Sequence, residues 1–183
     1  NTALGYTALG ANTTADSNVG LGYAALGANT TGTRNVAVGT NSLDASTTAN
    51  DNTSIGYNSL TANTTGYEGV AVGKNALATN TTGARNVAVG VEALYLSTTG
   101  DDNVAVGKSA LQDHTTGSDN TAVGNYALAN NTTASNNTAV GYYSLNAVTT
   151  SGNNTAVGFK SLLVNTGDTN TAVGYLAMDA NTT

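Results

Sequence analysis

Few residues in this chain are equipped for chemistry. His114 is the only imidazole and there is no cysteine, so a thiol nucleophile or a Cys/His metal site cannot be assembled. His114 stands where most copies of an internal repeat carry Asn in a loop, and it reads as a solvated replacement for that Asn. Asp101, Asp102, Asp113 and Asp119 fall in adjacent repeats and could collect a divalent cation through oxygen ligands. Calcium-binding rolls carry Gly-Gly-x-Gly-x-Asp in every copy, and this chain has none, so the four read as a solvated acidic patch. Gly20 and Gly22 lack the third glycine and following helix of a nucleotide-binding turn. Tyr6, Tyr23, Tyr57, Tyr142, Phe159 and Tyr175 recur at one repeat position, as a stabilising ladder or a platform for a glycan or host surface. The Asn-Thr-Thr sequons follow from the repeat and are not read as glycosylated. No catalytic constellation, metal site or cofactor site is expected, and the chain is not expected to be an enzyme.

What must position these residues is a repeat. Asn-Thr-Ala-Val-Gly-like segments begin at Asn1, Asn18, Asn35, Asn52, Gly69, Asn86, Asn103, Asn120, Asn137, Asn154 and Asn170, a period of 17 residues shortened to 16 at the last step. Such a period signals a solenoid. With the starting residue as position one, position two is always Thr or Val, and position four is aliphatic, as in Val38, Ile55, Val72, Val89, Val106, Val123 and Val140. Position five is always glycine, as in Gly39, Gly56, Gly73, Gly90, Gly107 and Gly124, and position nine is Leu until Met178, as in Leu43, Leu60, Leu77, Leu94, Leu111 and Leu128. The columns predict a first strand over positions one to four, a glycine turn, a second short strand around positions seven to ten, and an Asn-Thr-Thr-Gly return loop. The position-four and position-nine columns are the expected core. Stacked parallel, eleven coils make one all-β solenoid domain over residues 1–183, expected to be a piece of a longer fibrous protein.

The charges agree with this register. All 16 fall at positions six, seven, ten, eleven, sixteen or seventeen, and none in the first strand, at the Ala–Leu pair or at the two Thr of the loop. Arg34 with Asp51, and Glu68 with Arg85, share a column in neighbouring coils and are expected to pair. The net charge of −6, with five scattered Lys and Arg, argues against nucleic acid as a partner. No apolar run approaches the ~20 residues of a membrane-spanning helix, so membrane insertion is not expected.

Position three holds only small residues, among them Ala71, Ala88, Ala105 and Ala122. With positions two and four aliphatic or β-branched on the opposite face, the strand reads as buried on both sides. One coil supplies only one interior, so the small column is expected to face neighbouring chains in a homotrimer. The missing residue of repeat ten should be absorbed between Val164 and Asp168.

The pattern Asn-Thr/Val-Ala-Val-Gly-x-x-Ala/Ser resembles the head repeats of trimeric autotransporter adhesins, whose similar Asn-Ser-Val-Ala-Ile-Gly core forms left-handed parallel β-rolls wound as homotrimers. The full unit with Ala-Leu and Asn-Thr-Thr-Gly also resembles repeat regions of bacteriophage tail fibres. The likeness runs through all eleven copies, although adhesin head repeats are typically shorter than 17 residues. It implies a structural shaft of a trimeric tail fibre or surface adhesin on a virion or bacterial surface, presenting a tip that meets a host receptor or glycan. Two other readings are a self-assembling extracellular filament and an ice-binding solenoid using the Thr columns at positions thirteen and fourteen. The hexapeptide period of solenoid acyltransferases is absent.

Overall fold

β-Branched residues that end at an invariant glycine form very short strands, and that is what each repeat contributes. The computed structural model describes residues 1–182. Strands β1 (Thr2–Leu4), β2 (Val19–Leu21), β3 (Val36–Val38), β4 (Thr53–Ile55) and β5 (Val70–Val72) are followed by β6 (Val87–Val89), β7 (Val104–Val106), β8 (Thr121–Val123), β9 (Thr138–Val140) and β10 (Thr155–Val157). The two-residue β11 (Val164–Asn165), then β12 (Thr171–Val173) and the two-residue β13 (Ala180–Asn181), complete the set. β1 to β10 and β12 form one eleven-stranded parallel sheet in chain order, and β11 pairs with β13. There is no helix among the described residues. The chain is a parallel β-solenoid with one coil per repeat, and ten steps of ~4.8 Å give a rod roughly 50 Å long.

Register is kept throughout, with Val87 opposite Val104 and Ala88 opposite Ala105. The short repeat does not disturb it, because Thr155 still faces Thr171 and Val157 faces Val173. Ser151 Oγ donates to the Thr166 carbonyl while Asp168 accepts the Gly152 N–H, so the missing residue is taken up between Thr166 and Asp168.

The two faces of the strand are the reverse of the sequence expectation. Ala71, Ala88, Ala105 and Ala122, placed above at a trimer interface, are fully buried inside their own coil. Val89, Val106 and Val123, assigned to the core, point outward with 36–37% of their surface exposed, and Ile55 and Val140 are exposed as well. Val38 and Val72 lie on the same outward face and are half-buried. The reason is the thinness of the coil. Leu43, Leu60, Leu77, Leu94, Leu111 and Leu128 come across from the opposite wall and fill the interior. A Cβ added at Gly20 would lie 3.4 Å from Leu9 Cγ, so the space facing each Leu admits a methyl group and little more. The larger β-branched residues must therefore stand outside.

The expected second strand is replaced by consecutive turns. Residues at positions seven and nine take left-handed backbone angles, such as φ 60° at Glu92 and 51° at Leu94, and position seventeen does likewise, with 59° at Asp102. A left-handed Leu costs roughly 1–2 kcal/mol, which repetition of the coil offsets. The Leu94 N–H donates to the Ala110 carbonyl at 3.0 Å, and Leu111 repeats the bond to Ala127. At position five only glycine serves: φ is 140° at Gly90, and a Cβ there would collide with the Gly107 carbonyl of the next coil.

The starting Asn closes and stacks the coils. Asn103 Nδ2 donates to the Gly117 carbonyl at 3.0 Å, sealing its own coil, and its Oδ1 accepts the Asn120 N–H of the next coil at 3.0 Å. Asn18, Asn35 and Asn52 make the same pair of bonds.

Candidate functional site

Two outward features have the regularity or shape to meet a partner. The first is the outer sheet face. Positions two and four of every strand point outward, giving two ranks of Val, Thr, Ile and Leu that carry no charge over the whole rod. Three residues of ~3.3 Å by ten steps of ~4.8 Å make a flat band of about 500 Å², which is at the upper end of what a monomer normally leaves in water.

The second feature lies at coils eight to eleven. Position six stands just beyond the glycine turn and points outward, so aromatic residues in successive coils stack. Tyr142 and Phe159 lie 5.6 Å apart at 13°, and Phe159 and Tyr175 5.2 Å apart at 10°, as the sequence predicts. A parallel stack runs at position seven, with Tyr126 and Tyr143 at 5.0 Å. Lys108 Nζ lies 5.6 Å from the Tyr126 ring centre and Lys160 Nζ 5.4 Å from that of Phe159. The Tyr126 hydroxyl beside the Lys108 ammonium holds its pKa above the ordinary lysine value. The Tyr142 hydroxyl is pushed up by burial, with the Tyr143 hydroxyl adding to it. Beside the stacks opens a groove of about 540 Å³, between Tyr142, Tyr143, Phe159 and Lys160 on one side and Asn146 and Leu163 on the other.

No protein-family model, curated protein or solved structure matches this chain.

The remaining candidates are occupied by the fold. Arg34 forms the expected bidentate pair with Asp51, Nε to Oδ1 at 2.6 Å and Nη2 to Oδ2 at 2.7 Å. The expected Glu68–Arg85 pair is not formed. Arg85 instead reaches forward, as Arg34 does, to grip Asp102 through two 2.7 Å bonds and the Tyr67 hydroxyl through one of 2.8 Å. The hydrogen bond from each arginine holds its Asp51 or Asp102 partner below the usual carboxylate range. Asp101 accepts the Ala84 N–H at 2.8 Å. Among the described residues no group of three or more His, Cys, Asp or Glu is arranged for a metal ion.

His114 is not solvated. It is fully buried, and neither ring nitrogen has a hydrogen-bond partner. Its column turns inward, because an Asn there folds its amide back onto the carbonyl three residues on, as Asn80 does to Gly83 at 2.9 Å. A histidine inherits the buried place without that bond. Burial pushes its pKa down to about 4, and the nearby Gly117 backbone, which makes no well-formed hydrogen bond to the ring, offsets only part of that loss. The position-thirteen Thr hydroxyls are engaged between coils, Thr81 Oγ1 donating to the Thr98 carbonyl at 3.0 Å and Thr98 to Thr115 at 3.0 Å.

Sequence reasoning found the aromatic ladder but missed the groove beside it. The signal was present: coils nine and ten depart from their columns together, with Tyr143 and Lys160 at position seven, Asn146 and Leu163 at ten, and Val164 at eleven, where earlier coils carry mostly small residues.

Proposed function

We propose that this chain is the shaft of a homotrimeric fibre or adhesin, displayed outside a cell or on a virion, with the outer faces of three eleven-stranded sheets packed about a common axis. The observation that carries this reading is the uncharged band along the whole rod, aliphatic at position four and Val or Thr at position two. Positions two and four are the only columns that point outward from a regular strand, and neither holds a charged residue in any of the eleven coils. Charged residues occur on the turn and loop sides of nine of the eleven coils, so their exclusion from this face has a cause beyond folding of one chain. A stable contact buries about 800 Å² on each partner. The band with its flanking columns supplies area of that order. The resemblance to trimeric head repeats favours three chains over two. In this arrangement the small position-three residues pack within each chain, and the position-four residues meet those of the neighbours. The role is mechanical: to hold a receptor-binding tip away from the surface that bears it.

Sedimentation equilibrium tests the reading. The expected mass is three times the 18.1 kDa of one chain. Val89→Lys together with Val106→Lys should dissociate the assembly while leaving the β circular dichroism signal, since both side chains lie outside the coil. A folded wild-type monomer at micromolar concentration, or a double variant that stays trimeric, would overturn it.

A further inference from the structure

We propose that the groove on coils nine and ten is a binding site for a carboxylated sugar residue, its ring lying against the Tyr142, Tyr143 and Phe159 side chains and its carboxylate meeting Lys160. The site stands on the single chain and does not depend on the trimer.

The shape is the first argument. Aromatic ladders occur twice on the rod, since Tyr6 and Tyr23 also stack, with centres 5.6 Å apart. There positions ten and eleven are Gly10, Gly27, Ala11 and Ala28, which raise no opposing wall. At coils nine and ten the same columns carry Asn146, Ala147, Leu163 and Val164, and a groove of about 540 Å³ results. That is the size of a small-ligand site. A ladder needs only position six for its own stability, so the larger residues at positions seven and ten of both coils, with Val164 at position eleven of the second, call for another cause.

The chemistry of the lining is the second argument. A pyranose ring has one face of C–H groups and an edge of hydroxyls. The exposed aromatic faces suit the first, and the Asn146 amide suits the second. Asn146 Nδ2 donates one hydrogen to the Tyr126 carbonyl at 2.9 Å, which fixes the amide and leaves Oδ1 as an acceptor. Charge is the third argument. Both arginines of the chain are tied to aspartates, whereas Lys160 and Lys108 have no carboxylate within ion-pair distance among the described residues, and both sit on this aromatic patch. Lys160 is the only charged residue lining the groove of a chain whose net charge is −6. A neutral sugar would not require it.

The test uses the whole chain with three probes: an oligogalacturonate, its methyl-esterified neutral form, and N-acetylneuraminic acid, read by saturation-transfer NMR and calorimetry. Affinity in the millimolar range or better is expected for an acidic probe, with the neutral ester at least about fivefold weaker. Which acidic probe binds better distinguishes a uronic from a sialic acid source. Phe159→Thr and Lys160→Asn place residues that the same columns hold at Thr40 and Asn41, so the coil should persist. Each should weaken acidic-probe binding, by about tenfold for the ring and to the level of the neutral ester for the lysine. Both should keep the β circular dichroism signal, with the melting temperature unchanged for Lys160→Asn and lowered by the two lost stacking contacts for Phe159→Thr. Equal binding of the acidic and neutral probes by the wild type, or no binding of either acid at 10 mM, overturns the proposal. Because these measurements on the wild-type chain decide the matter, variants that fail to fold do not protect it.

Discussion

His114→Asn should remove most of the acid sensitivity of this rod between pH 6.5 and 4. The histidine is buried with both nitrogens unpartnered, and its pKa is lowered to about 4 in the folded state. In the unfolded chain it titrates near 6.5. The unfolded state therefore binds more protons across that window, and stability must fall as pH falls through it, reaching its full loss below the folded pKa. A separation of about 2.5 pK units at 1.36 kcal/mol each amounts to about 3 kcal/mol. Because the chain has one histidine, the loss is assignable to it. Asp51 and Asp102, whose folded pKa values are depressed, contribute stability that is lost only below the ordinary carboxylate pKa, outside the window. Asn belongs at this column and would regain the bond to the carbonyl three residues on, so the variant should also be more stable at pH 7, by about 1–3 kcal/mol for relief of unpartnered nitrogens. Urea unfolding of both proteins at half-unit pH steps, at one protein concentration, measures the effect. Parallel stability curves from pH 7 to 4 would refute the reasoning.

Three further outcomes follow from the coil interior. Leu94→Asp should cost on the order of 5 kcal/mol or abolish folding by burying an unpaired charge, whereas Asp102→Ala, on an exposed pair, should barely move the melting temperature; similar shifts would show that the Leu column is not the core. Gly90→Ala should cost about 3 kcal/mol or more from its forbidden φ and the collision with the next coil, measurable as a lowered urea midpoint. Asn103→Ala leaves the Gly117 carbonyl and the Asn120 N–H without partners, a loss of about 3 kcal/mol, and amide exchange at Asn120 should accelerate.

The period, the one-coil-per-repeat architecture and the absorbed deletion were legible because glycine in every copy, and Leu in all but the last, mark fixed points. Alternation along the strand also separated position three from positions two and four, but it could not say which face is inside. Apolarity pointed to Val. Volume decided for Ala, since a coil filled from one wall by Leu has room opposite only for a methyl group. Small residues throughout position three, and Ala or Ser throughout position eight beside a Leu that only Met178 replaces, were the available signal. The left-handed angles at Leu94 and its equivalents have no signature in the sequence, as Leu does not favour them and the stacking bonds between coils impose them. His114 was misread for a related cause: Asn-Thr-Thr suggests a solvated loop, yet the Asn of that loop is folded inward.

The Asn ladder is weakened at two rungs: Asn154 in the short coil ten keeps its bond to the Asn170 N–H but leaves its Nδ2 without a partner, and coil five has no Asn at its first position. Gly69 accepts the usual arrangement from the coil before it, its N–H donating to Asn52 Oδ1 at 2.9 Å, but having no side chain it offers nothing to Asn86 and cannot seal its own coil. Four coils precede this break and six follow it. A rod of identical units pulled along its axis has no preferred place to part, and would fail from whichever end is gripped. Here tension meets a mechanical fuse: coil five, the one that lacks both bonds, should peel first, lengthening the rod by one repeat while the coils on either side hold their stack.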